Sequence, residues 1–226
     1  MTCIIVLTHN KIDITKQFLS QLFENTHENF HLVIVDNGST DGTKEYLDKL
    51  DNILFISLGY NSGVINGRNI GYEKSRHLEY DYLLFLDNDQ FVGEGWLKQH
   101  ISFMQNGGYD VLGVEAWKMS ETFRPLNKVD NPVDPYTYVG AGGMLIKRDV
   151  VEKIGLFDIG FSPMYFEDPD FCFQCNKNGF HFGWNPKAKI IHRPHQTMSI
   201  ISQEDRHIYF RNSLKYFREK WKKHES

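Results

Sequence analysis

Along the first half of the chain, short apolar runs alternate with segments whose apolar residues recur at helical spacing. Cys3–Leu7, His31–Val35, Ile53–Ser57 and Tyr82–Leu86 read as strands. Between them, Asp13–Glu24 reads as a helix with Ile14, Phe18 and Leu22 on one side and Asp13 as N-cap. Thr43–Leu50 and Ile65–Ser75 read as the next two helices. Alternating strands and helices predict an α/β fold, with a mostly parallel central sheet covered by helices on both faces. The Tyr82–Leu86 run is continuously apolar, as expected of a strand buried on both sides.

The second half is less regular. Glu94–Gln105 reads as a helix with Trp96, Leu97, His100, Ile101 and Met104 on one side. Val111–Ala116 reads as a strand, and residues 117–137, with three prolines, as a loop long enough to bind a ligand. Tyr138–Ile146 is expected as a strand whose Gly140, Gly142 and Gly143 admit close backbone approach. Arg148–Ile154 reads as a short helix. Pro169 suits the first turn of another, ending near Gly179, with Asp168 as its N-cap. Lys189–His192 reads as a strand and Gln203–Lys223 as a helix. The expected organisation is one domain over 1–202, divided near residue 110, followed by a basic aromatic helix at 203–226.

Polar chemistry collects where these strands end. The first ends in Thr8-His9-Asn10, the second in Asp36, the fourth in Asp87-Asn88-Asp89. Open α/β sheets bind ligands at the carboxyl ends of their strands. Asp87 and Asp89 offer hard oxygen ligands suited to Mg²⁺ or Mn²⁺ holding a diphosphate. An isolated Asp-x-Asp is more often a turn. Asp36 suits the imide N–H of a uracil or thymine, or simply opens the Asn37-Gly38 turn. Gly67 and Gly71 leave one helix face bare, either for packing on a strand or for a ligand, and Arg68 between them suits a diphosphate or an acid near Asp87. The G-x-G-x-x-G fingerprint of dinucleotide-binding folds is absent after the first strand.

Composition narrows the setting. The 226 residues, 41% hydrophobic and 24% charged, suit one globular domain with a substantial core. No apolar run is long enough for a transmembrane helix, and the start lacks a basic n-region, so a cytoplasmic protein is expected. Residues 206–226 carry a net +5, which leaves −9 on the remainder, so a nucleic-acid-binding body is not supported. The terminal helix is expected to pack through its aromatic residues, with a basic face left for weak attraction to an anionic membrane. Cys172 and Cys175 form one C-x-x-C beside His181 without an evident fourth ligand, so a zinc site is not expected.

Four motifs occur in order: Asp36-Asn37-Gly38-Ser39-Thr40-Asp41-Gly42-Thr43; Asn61-x-Gly63 with Gly67-Arg68-Asn69-x-Gly71; Asp87-Asn88-Asp89; and Phe166-Glu167-Asp168-x-Asp170. As a set over roughly residues 2–195, they resemble the family 2 glycosyltransferases with the GT-A fold, especially the rhamnosyltransferase-like and galactofuranosyltransferase-like members. The resemblance implies sugar transfer from a nucleotide-diphosphate donor, UDP- or dTDP-linked, to a glycan or lipid-linked acceptor with inversion. It also implies a donor-binding set of Thr8, His9, Asn10, Asp36, Asn61, Gly63, Arg68, Asp87 and Asn88. Asp87, Asp89 and His192 would hold Mn²⁺ or Mg²⁺, and Asp168, with Glu167 as rival, would be the base. Gln174 and Cys175 stand where many members carry Arg or Lys, which leaves one phosphate or acceptor contact without its usual residue. His192 and His195 also suit plain strand-end histidines.

The chemistry of these residue types agrees with that reading. An acceptor hydroxyl attacking an oxocarbenium-like centre needs a carboxylate base, and the departing diphosphate needs positive charge. Two other readings share this start: a sugar-nucleotide-forming nucleotidyltransferase, and a non-catalytic sugar- or nucleotide-binding module. The first would need a Gly-rich, basic loop where Thr8-His9-Asn10-Lys11 stands; intact Asp89 and Asp168 count against the second.

Overall fold

The computed structural model describes residues 1–130, 135–192 and 201–222. His195 and Lys223 therefore lie outside the described residues. Seven strands form the central sheet: β1 (Thr2–Thr8), β2 (Phe30–Asp36), β3 (Leu54–Ser57), β4 (Tyr82–Asp87), β6 (Val111–Gly113), β10 (Leu145–Lys147) and β11 (Phe182–Trp184). Their order is β11-β6-β10-β4-β1-β2-β3. β10 runs antiparallel to both its neighbours, and every other pairing is parallel. A two-stranded sheet joins β5 (Gln90–Val92) to β12 (Ile190–His192), and a three-stranded one orders β8 (Pro125–Lys128), β7 (Ala116–Met119) and β9 (Thr137–Val139).

Both faces of the central sheet are buried, which explains the unbroken apolar runs. Ile5, Leu83 and Phe85 enter one core, while Ile4, Leu84 and Leu86 enter the other. The helices are α1 (Ile12–Asn25), α2 (Thr43–Leu47), α3 (Val64–Ser75), α4 (Trp96–Gly107), α5 (Arg148–Ile154), α6 (Glu167–Lys177) and α7 (Gln203–Lys222). α3 lies close on β1 because its glycines allow it: a Cβ on Gly71 would sit 2.7 Å from Ile5 Cγ2, and one on Gly67 2.5 Å from Leu7 Cδ1. The bare helix face is thus a packing face.

Several expectations are corrected. α1 is not capped by Asp13: it begins at Ile12, whose N–H donates to Asp41 Oδ2 at 3.0 Å, so the cap comes from another loop. Asp13 sits in the first turn, where an acid complements the helix dipole. Nor does Asp168 cap α6, because the helix starts at Glu167, two residues earlier than expected, with Phe166 in the cap position at φ 70°. The 117–137 segment is not loop throughout but contributes β7, β8 and the first residue of β9. Tyr138–Ile146 is split by the Gly140–Gly143 segment into β9 and β10, which belong to different sheets. Val111–Ala116 likewise divides between β6 and β7, and β5 and β11 are additional strands. The periodicity was too short in each case to mark the break.

α7 packs as expected, with Phe217 fully buried and Trp221 nearly so. Its free basic face is smaller than the residue count suggests. Arg218 donates to the Thr122 carbonyl, and Lys220 to Asp158 and Asp170. Cys172 and Cys175 are buried free thiols. No helix among the described residues is long and apolar enough to cross a membrane.

Candidate active site

The carboxyl ends of β1 and β4 open onto a cleft of about 970 Å³, closed on the far side by the start of α6 and by Tyr209 and Phe210 of α7. Thr8, His9, Asn61, Gly63, Arg68, Asp87, Asn88, Asp89, Glu167, Asp168 and His192 all line it. Asn10 and Asp36 do not. They build the loops behind the wall: Asn10 Oδ1 accepts from the Thr40 N–H at 2.8 Å, and Asp36 Oδ1 from the Ser39 N–H at 3.1 Å. Asp36 keeps Oδ2 buried and without a hydrogen-bond partner among the described residues.

The Asp-x-Asp segment is held from below. Asn88 Nδ2 donates to the Thr8 and Thr15 hydroxyls at 3.0 and 2.9 Å. The middle residue is thus an internal strut that commits the Thr8 hydroxyl as well. Gln90 Oε1 accepts from the Asp87 N–H at 2.9 Å. Arg68, 5% exposed, donates to Asp87 Oδ1 at 2.8 Å and lies 4.0 Å from Glu167 Oε1. A guanidinium this deep is retained because acids face it on two sides.

Asp89 is nearly buried, and its Oδ1 lies 3.3 Å from His192 Nε2. The pairing of β12 with β5 brings them together by setting His192 opposite Gln90. The Asp89 carboxylate raises the imidazole above its ordinary 6.5. Among the described residues, no three His, Cys, Asp or Glu side chains converge as a cage. The expected trio is therefore a pair, with Asp87 drawn toward Arg68. One carboxylate and one imidazole still fit a hard divalent ion, since Mg²⁺ commonly takes one or two protein ligands and fills the remainder with water and phosphate.

Glu167 and Asp168 also line the cleft. Burial pushes both carboxyls up, Asp168 to about 6 and Glu167, which also meets the Asp168 charge, to about 8. Arg68 pulls on both, and the Ala141 amide lowers Asp168 further. Asp168 Oδ1 is buried with no hydrogen-bond partner among the described residues.

Three polar residues stand out that periodicity does not single out. Asn37 ties the β2 loop to α3 by donating to Asn61 Oδ1 and accepting from Ser62. His100, fully buried and pushed down to about 4 by desolvation, is neutral. Its Nε2 donates to the Gly143 carbonyl at 3.1 Å, and its Nδ1 accepts from Asn185 Nδ2 at 3.2 Å, which fixes the glycine segment beside Asp168. Asn185 itself lines the cleft. Only a polar residue on an otherwise apolar helix face hinted at His100 in the sequence.

Comparison with known proteins places this geometry. The chain is 19% identical over its whole length to a Sinorhizobium fredii protein, uncharacterized protein y4gI, of which it spans 28%. It is 23% identical to the dTDP-rhamnosyl transferase RfbF of Shigella flexneri over 83% of this chain and 67% of that one. Among solved structures, S. aureus TarS in complex with UDP-GlcNAc superposes with a TM-score of 0.65 at 20% identity, covering 92% of this chain and 64% of that one. The mannosyltransferase PcManGT of Pyrobaculum calidifontis, in complex with GDP-Man and Mn²⁺, superposes at 0.64 with 16% identity, over 87% and 57%. These likenesses establish the GT-A fold. The model of glycosyl transferase family 2 matches residues 3–172, from the first strand into the helix that carries Asp168, and the chain belongs to that family.

Proposed function

We propose that the protein transfers a sugar from a UDP- or dTDP-linked donor to a hydroxyl of a glycan or lipid-linked glycan, with inversion and with Asp168 as base. One observation supports this reading: a single cleft is lined both by the Asp89–His192 pair and by Asp168, a buried acid whose Oδ1 has no hydrogen-bond partner among the described residues. The two sites suit the two ends of one displacement. The acceptor hydroxyl gives its proton to Asp168 as its oxygen bonds to the anomeric carbon. The bond from that carbon to the diphosphate oxygen breaks, and the nucleoside diphosphate leaves. Burial and the Asp168 charge favour the neutral form of Glu167, which spares the base a second full negative charge.

Asp89 and His192 would hold the divalent ion, which supplies positive charge to the departing diphosphate. Arg68, held by Asp87, adds a fixed cation beneath the same region. Asp36 Oδ2 suits the imide N–H of a uracil or thymine ring. Arg211, Lys215 and Lys222 stay exposed on α7 and suit weak contact with an anionic membrane bearing the acceptor.

Equilibrium binding and slow hydrolysis of UDP-, dTDP- and GDP-sugars, each with Mn²⁺ or Mg²⁺, test the reading. Binding of a UDP- or dTDP-sugar with metal-dependent hydrolysis is expected. Failure of every donor to bind under either metal refutes the assignment, and product NMR decides the anomeric outcome.

A further inference from the structure

We propose that α7, which lies outside residues 3–172, is a clamp that positions Asp168, with Ser213 and Lys220 as its positioning residues. The inference rests on the transferase reading above. Two consecutive non-glycine residues immediately before the acid pair, Tyr165 and Phe166, have φ of 77° and 70°. Such left-handed residues cost about 1–3 kcal/mol each and persist only where their surroundings over-determine them. Here the surroundings are chiefly α7.

The grip is closed on both sides of the turn. Upstream, buried Ser213 donates to the Met164 carbonyl at 3.1 Å and reaches that of Phe161 at 3.5 Å. The Tyr216 hydroxyl donates to Asp158 Oδ2 at 3.0 Å. At the turn itself, the Phe210 and Phe217 rings each lie 5.4 Å from that of Phe166. Downstream, Lys220 Nζ bridges Asp158 Oδ2 at 2.6 Å and Asp170 Oδ2 at 2.8 Å, while Trp221 Nε1 donates to Asp170 Oδ1 at 2.8 Å. Lys220 thus ties the segment before the turn to the first turn of α6, two residues from Asp168. α6 has no side-chain N-cap, so its start is set by these tertiary bonds. A base must sit within hydrogen-bond reach of the acceptor hydroxyl, and a misplacement of about 1 Å can cost on the order of 10²-fold in rate.

The test compares Ser213→Ala, Lys220→Met and Lys220→Arg with the parent by amide hydrogen exchange, thermal melting, donor binding and turnover. Expected for Ser213→Ala is faster exchange confined to residues 164–170, with the β1 and β4 amides unmoved. With it, kcat should fall about ten-fold or more while donor Kd changes less than about two-fold. Lys220→Met should do the same, and Lys220→Arg should recover most of the loss. Unchanged exchange at 164–170 in Ser213→Ala overturns the clamp. So does faster exchange with kcat within about two-fold of the parent, because the turn would then be held without mattering to the base. Loss of donor binding in step with kcat in a folded variant would also overturn it. A parent that binds no donor fails the transferase reading instead, and the exchange result still decides whether α7 holds the turn.

Discussion

Arg68 donates to Asp87 Oδ1 at 2.8 Å while its other terminal nitrogen lies 4.0 Å from Glu167 Oε1. One cation therefore joins Asp87, at the end of β4, to the acid pair at the start of α6. Removing a partner from such a buried contact typically costs about 3–5 kcal/mol. Glu167 lies beside Arg68 and yet its carboxyl is pushed up, because burial and the neighbouring Asp168 outweigh the cation.

The two acids should separate by mutation. Asp168→Asn is expected to lower kcat by about 10²–10⁴-fold, the usual worth of a general base, with donor Kd almost unchanged. Glu167→Gln should retain most of the activity. The reverse ranking in steady-state assays with donor and acceptor would transfer the role of base to Glu167.

The pH profile follows from the same pair. Asp168 must be ionised to take the proton, so transfer should rise with pH through about 6 and then level off. A rate already flat from pH 5 upward would mean that the base has an ordinary carboxylate pKa.

Stability should move with pH in a defined direction. The Glu167 carboxyl is raised from 4.5 to about 8, so between those values the folded state holds a proton that the unfolded state has lost. Stability from this group is present at low pH and is lost as pH rises toward 8. Glu167→Gln removes that titration. Its melting temperature relative to the parent should therefore be higher at pH 8 than at pH 5, and an equal difference at both values would count against a buried, protonated Glu167.

Metal binding should weaken in acid. His192 can bind an ion only when neutral, and Asp89 raises its pKa above 6.5. Mn²⁺ affinity in the presence of UDP, followed by the EPR signal of free Mn²⁺, should fall between pH 8 and pH 6. Asp89→Ala should reduce it about ten-fold or more at either pH. Affinity independent of Asp89 would remove the metal assignment and leave the transferase reading standing.

The α3 glycines should part company. Gly71→Ala drives a methyl to 2.7 Å from Ile5 Cγ2 and 3.0 Å from Val35 Cγ2, both on fully buried β-branched side chains. Overpacking of this kind costs about 1–3 kcal/mol, more than the roughly 1 kcal/mol that alanine gains in helix propensity. Gly67→Ala meets chiefly the end of the Leu7 side chain, which can turn aside, and should be closer to neutral. Urea denaturation of the two variants checks the difference.

Much of this molecule was legible in its sequence because strong local patterns carry it. The apolar runs of β1, β2 and β4 are continuous because both sheet faces are covered, and those of β1 and β4 stop at polar residues that line the cleft. A parallel sheet then places Thr8, Asp36 and Asp87 at one edge without further information. The start of α6 was marked only to within two residues, since Glu167-Asp168-Pro169 put the cap at Asp168 rather than at Phe166.

What tertiary structure alone decided depends on chain segments far apart. Which of two glycine roles α3 uses follows from how close Ile5 lies, and neither residue reports that distance. His192 meets Asp89 only because β12 pairs with β5 across about a hundred residues. Asn88 is a strut because Thr8 and Thr15 happen to lie beneath it. The two raised carboxyls owe their state to burial, and the left-handed turn before them packs against Phe210 and Phe217 of α7. Periodicity reports which side of an element is apolar; it carries nothing about which other element arrives there, and that arrival sets the charge and reach of the site.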